Sequence, residues 1–148
     1  MPDVTSAEFR PTDEIVHVPL SSNGIAGSAV NVAAHGIRLF QATHPIRIVG
    51  MTVTTGSGVI TAGNTIQAAY GVNSGAGAAL GATAGTALTA AAGLAASTVN
   101  TIPIESVSAS DTTPRDVIPA GSFVGFNIPA VGANAMTLIS ATVRYRDA

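Results

Sequence analysis

The chain of 148 residues has no cysteine, no tryptophan and no lysine, and only 9% of its residues are charged. Without cysteine there is no disulfide, no thiolate nucleophile and no cysteine-ligated metal site. That absence does not choose a redox compartment, since a reduced cytosol and a disulfide-free exterior both permit it. The charged fraction falls well below the ~25% of an average soluble domain. A net charge of -2 gives no long-range pull toward nucleic acid or acidic membrane. All six basic residues are arginine, whose weakly hydrated planar fork suits interfaces better than an ammonium does. Long, strongly apolar runs are also missing. The blandest stretch, residues 75–96, is mostly Ala, Gly and Thr, with Leu80, Leu88 and Leu94 as its strong apolar residues, so no membrane-spanning helix is expected. The start, Met1-Pro2-Asp3-Val4, lacks the basic and apolar regions of a secretory leader.

What is present is aliphatic. Hydrophobic residues make up 47% of the chain, which excludes disorder through low hydrophobicity. The length suits one domain that buries ~70% of the surface its unfolded chain exposes. Residues 1–14 form a separate zone, where Asp3, Glu8, Arg10, Asp13 and Glu14 sit among Pro2 and Pro11. This zone is expected as an extended arm, and residues 15–148 as a single domain.

From Ile15 onward the apolar pattern has a period of two. Val16, Val18 and Leu20 share one strand face and His17 and Pro19 the other. Further strands are expected over residues 28–33, 37–42, 46–55, 65–70, 98–104, 122–128 and 137–146, separated by Gly, Pro and Asn turns. Gly50, inside the third of these, predicts a bulge or a close backbone approach. Ile118-Pro119-Ala120-Gly121 fits a type I turn with Pro second and Gly fourth. In the last strand Ile139, Ala141, Val143 and Tyr145 are expected to face the core. One wet and one buried face per strand is the mark of antiparallel sheets. Eight or nine short strands without interleaved helices predict an all-β fold, an antiparallel β-sandwich of jelly-roll type. The Ala/Gly-rich residues 71–97 break this texture. They read either as a short helix near 87–96, since alanine is the best helix former, or as a long ordered excursion.

No constellation of catalytic residues stands out, and no enzyme activity, cofactor or metal is expected. His17, His35 and His44 have neither H-x-x-x-H nor H-E-x-x-H spacing. Glu105, Asp111 and Asp116 lack the spacing of a calcium loop. Residues 70–77, Tyr-Gly-Val-Asn-Ser-Gly-Ala-Gly, have the spacing of a dinucleotide-binding loop. The acidic ribose partner such a loop needs does not occur before Glu105. Arg144-Tyr145-Arg146 is too small a basic and aromatic cluster for nucleic acid.

Residues 48–104 carry no charge at all, where an average soluble domain would place about fourteen. The Ala, Gly, Ser and Thr portion of that run is too weakly apolar to be all core, and left in water it makes a poor solubility design. Small side chains lose little entropy when ordered against another surface. The run is therefore expected to pack against other chains, with Leu80, Leu88 and Leu94 as inter-subunit contacts.

The stretch Ala34-His35-Gly36-Ile37-Arg38-Leu39-Phe40-Gln41-Ala42 resembles small virion proteins of tailed bacteriophages, as does Pro45-Ile46-Arg47-Ile48-Val49-Gly50-Met51-Thr52-Val53. The same texture returns in residues 117–127 and 141–146. The head decoration, or cement, proteins are the nearest group. The resemblance implies a sandwich or jelly-roll core and a chain made in the host cytoplasm that sits on the capsid surface of the virion. It implies a major capsid protein as partner and assembly as a homotrimer or as single copies. Glu8, Phe9, Arg10 and Asp13 are then expected in a capsid-contact arm. A carbohydrate- or receptor-binding tail or fibre domain is the alternative. It would be expected to show exposed aromatics, and the chain has only two tyrosines and no tryptophan.

Overall fold

A computed structural model describes residues 13–20, 35–58, 60–72, 80–84, 88–89, 93–104, 117–128 and 137–148. Ten β-segments run through them: β1 (Glu14–Pro19), β2 (His35–Gln41), β3 (Ile46–Thr55), β4 (Thr65–Gly71), β5 (Ala82–Thr83), β6 (Leu88–Thr89), β7 (Val99–Ile102), β8 (Val117–Ile118), β9 (Phe123–Ile128) and β10 (Leu138–Asp147). β-branched residues make up seven of the ten positions of β3, one of the two longest strands, and fit a pleated surface half-buried on one side.

The segments form two antiparallel sheets. The first has the order β1-β10-β3-β7, with β8 also on β3, and the second the order β2-β9-β4-β5, with β6 also on β4. Successive long strands alternate between the sheets, so β1, β3 and β10 lie in one and β2, β4 and β9 in the other. With β5 and β6 taken as one interrupted strand and the two-residue β8 set aside, this is the strand order of an eight-stranded jelly roll. The expected all-β sandwich is thus the observed fold.

Between the sheets lies the core. In the first sheet Val16, Val143, Met51 and Ile102 form one inward row. In the second, Ile37, Phe126 and Ala68 face them. Phe126 and Met51 are fully buried. At one end the rings of Phe40 and Tyr145 stack at 5.3 Å and tie β2 to β10 across the sandwich.

Bulges reset the inward phase three times. At Gly50 the pairing steps from Arg144↔Gly50 to Tyr145↔Ile48, leaving Val49 unpaired. The expected bulge is there, and it moves the buried set of β3 from Ile46 and Ile48 to Met51, Val53 and Thr55. A second bulge leaves Ile139 between Leu138↔Thr55 and Ser140↔Thr54. Leu138 therefore takes the core position, and Ile139, expected inward, is exposed. The third leaves Leu39 unpaired in β2.

Two local expectations change. The turn after β8 closes one residue later than expected. Ser122 N–H donates to Pro119 O at 3.2 Å, and Gly121, third in the turn, has φ 83°. A positive φ at that position is the type II requirement. Nor does a helix form over the described part of residues 87–96. Leu88 and Thr89 pair with Ile66 and Thr65, and the chain turns at Gly93. Both described parts of residues 82–89 run antiparallel to β4, since Ala82 and Thr83 likewise pair with Tyr70 and Ala69 and Ala84 N–H donates to Ala68 O at 2.9 Å. Alanine's helix propensity is a fraction of a kcal/mol per residue. An open β4 edge and buried seats for Ala84 and Leu94 outweigh it. Within the Ala/Gly-rich excursion, β5 and β6 thus line the edge of the second sheet. The strand expected over 28–33 lies outside the described residues.

Candidate interaction surface

Strand direction sorts the surface into two poles. At one, β1, β3 and β9 end, and β2, β4, β7 and β10 begin. At the other, β1 and β3 begin and β10 ends.

The second pole collects charge. Asp13 Oδ1 lies 3.1 Å from Arg146 Nε and Asp13 Oδ2 3.6 Å from Arg144 Nε. The Arg146 Nε–H finds no aligned acceptor, so this is a contact of charge rather than a directed hydrogen bond. Tyr145 OH donates to Glu14 Oε2 at 2.6 Å. His44 Nε2 meets Asp147 Oδ1 at 2.6 Å, while its Nδ1 lies 3.1 Å from Thr43 Oγ1. Arg47 begins β3 beside Val117 and Arg146. The Arg38 guanidinium lies over the Phe123 ring, 5.5 Å from its centroid, at the start of β9 in the same half. Every described charged residue is therefore in this half of the molecule.

Among the described residues the first pole has none. Its exposed residues are Ser57, Ala62, Gly63, Gly93, the run Ala95 to Val99, and Ile139. Val99 is 60% exposed and Ile139 42%.

Although uncharged, this surface is firmly held. Thr55 N–H donates to Thr98 O at 3.0 Å, Ser97 N–H to Gly56 O at 2.9 Å and Gly56 N–H to Thr137 O at 3.0 Å. Asn100, 4% exposed, anchors it from below. Its side-chain carbonyl accepts from Ala95 N–H at 2.7 Å, and its amide donates to Ala95 O at 3.0 Å and Thr55 Oγ1 at 3.2 Å. Thr55 Oγ1 donates in turn to Ala95 O at 2.6 Å. Small side chains on a backbone already fixed lose little entropy when another surface covers them.

Other expected site residues fall differently. Glu8, Phe9 and Arg10 lie outside the described residues, as do Glu105, Asp111 and Asp116. Asp13 belongs to the charged pole, and β1 already begins at Glu14 rather than after it. Leu80 and Leu94 are each 3% exposed, and Leu88 packs against the same chain's core. They fill this chain's interior and offer little to a neighbouring subunit. Their buried seats come from a pairing that composition does not signal. Asn127 accepts from Leu80 N–H at 2.7 Å and donates to Leu80 O at 3.0 Å, which fixes Leu80 against the second sheet. The two anchoring asparagines were missed because each stands in an ordinary strand sequence, and only a buried position gives an amide this role. His17 is on the exposed face, as expected, with Nδ1 2.8 Å from Thr142 Oγ1. Among the described residues no three His, Cys, Asp or Glu side chains gather to hold a metal.

No protein-family model, no curated protein and no solved structure matches this chain.

Proposed function

We propose that this protein is a structural component of a phage virion that binds the outside of the capsid lattice and stabilises it by clamping neighbouring subunits. The major capsid protein is its partner, and a homotrimer is its working form. The observation that carries this reading is the uncharged, backbone-fixed pole of Ser57, Ala95 to Val99 and Ile139. Interface centres are depleted of charge because a charge there must be desolvated or paired. A surface of small residues lets backbones approach closely. The jelly-roll core agrees with what the sequence resemblance implies. Clamping works by mass action, since a ligand that binds only the assembled shell stabilises it by about 2.7 kcal/mol per site at a hundredfold excess over Kd.

Co-sedimentation with capsid shells tests the reading. Val99→Glu and Ser57→Glu should keep the fold and lose the shells, because each buries a carboxylate without a partner. Asp147→Asn, at the opposite pole, should co-sediment like the parent. Undiminished binding by both glutamate variants would refute a role for this pole.

A further inference from the structure

The outer face of the first sheet holds a groove of about 380 Å3, lined by Ile15, Val49, Gly50, Thr52, Thr142 and Arg144. Ile15 is 67% exposed at its rim. The bulge at Val49 and Gly50 shapes the groove. Gly50 forms its floor, where a side chain would otherwise stand. A Cβ built there meets nothing nearer than Arg144 Nη2, at 3.9 Å.

We propose that Phe9, in the segment preceding Asp13 of the same chain, seats in this groove. Three observations point to it. First, Asp13 fixes where that segment leaves the fold. Its carboxylate lies beside Arg144 and Arg146 on β10, so the chain starts at the groove's rim, above the sheet. Second, the lengths match. Phe9 is four residues before Asp13 and reaches up to ~13 Å along an extended chain. Crossing from β1 over β10 to the groove floor on β3 takes two strand spacings, ~10 Å. Third, the chemistry matches. The lining is mainly apolar, and Phe9 is the one aromatic residue before Asp13. Glu8, next to it, complements Arg144, whose side chain is 53% exposed. The tether gives the segment a high effective concentration over its own groove, in the millimolar range for a short linker. This docking is independent of shell binding and holds whether or not the protein decorates a capsid.

The absence of cysteine makes the test direct. A nitroxide on Ser6→Cys in the full chain is the only label site. The amide signals of Gly50, Thr52 and Thr142 should lose intensity at every protein concentration, and those of the opposite sheet should not. Adding Phe9→Ala should restore them. Gly50→Leu, which fills the groove, should do the same, and Phe9→Ala carries the test if the leucine variant does not fold. Unchanged intensities in the labelled chain would overturn the proposal. So would losses that persist in Phe9→Ala. Losses that appear when labelled and isotope-enriched chains are mixed would assign the groove to a second copy and equally overturn it.

Discussion

Tyr145 shows how much a single pair at the charged pole carries. Its phenol is held above its ordinary pKa, first by the hydrogen bond it donates to Glu14, then by burial and by the negative charges of Glu14 and Asp147. A raised pKa on an acid that is neutral at pH 7 stabilises the fold below the ordinary value of about 10, and that share is lost as pH rises through the folded value. The chain has neither lysine nor cysteine, so its two tyrosines are its only side chains with ordinary pKa values between about 8 and 11. Urea midpoints should therefore fall from pH 9 to pH 11 in the parent and fall less in Tyr145→Phe. The same variant should lose about 0.5–1.5 kcal/mol at pH 7, the net worth of one hydrogen bond. Asn127 carries more, because it is buried and serves both backbone groups of Leu80. Asn127→Ala leaves those groups without their partner and should cost about 1–3 kcal/mol by urea unfolding.

At the level of the strands, position and type were legible wherever β-branched residues alternated. The bounds expected for β3, 46–55, are the observed ones. The phase within a strand was less legible. Ile139 belongs to the best alternation in the sequence, yet a bulge turns it outward and hands the core seat to Leu138. A bulge depends on what the partner strand offers, so alternation alone cannot place it. The short strands β5 and β6 were illegible for a related reason. Their weak local preference is decided by an unpaired edge on β4, which no local pattern reports. Close packing between strands is equally silent in the sequence. Gly125 lies against β2 so tightly that an added Cβ would fall 1.8 Å from Ile37 O. Gly125→Ala should therefore disrupt the second sheet and yield little folded protein. Gly81→Ala, where nothing lies within 4 Å, should leave circular dichroism and the urea midpoint close to the parent.

Folding gives the charge-free run a more specific meaning at the scale of the whole molecule. Just over half of the described residues within 48–104 are strand, Leu80 and Leu94 are interior, and Leu88 packs partly buried against the core. What remains exposed of the run at its two sheet-connecting turns, Ser57, Ala62, Gly63 and Ala95 to Val99, gathers at one pole with Ile139. The absence of charge was legible in the sequence. Its concentration at one end was not, because it follows from the jelly-roll strand order, which brings distant turns together. The described charges occupy the other half. The division is one of charge, since Ile15 and Val72 are exposed apolar residues in the charged half, and the account rests on the pole that carries none. Its most direct test is a low-resolution reconstruction of virus particles with and without this protein. The account predicts extra density on the outer shell surface, with the pole of Val99 and Ile139 against the capsid and the Asp13–Arg146 end toward solvent. Density in the reverse orientation, or identical shells in the two reconstructions, would contradict it.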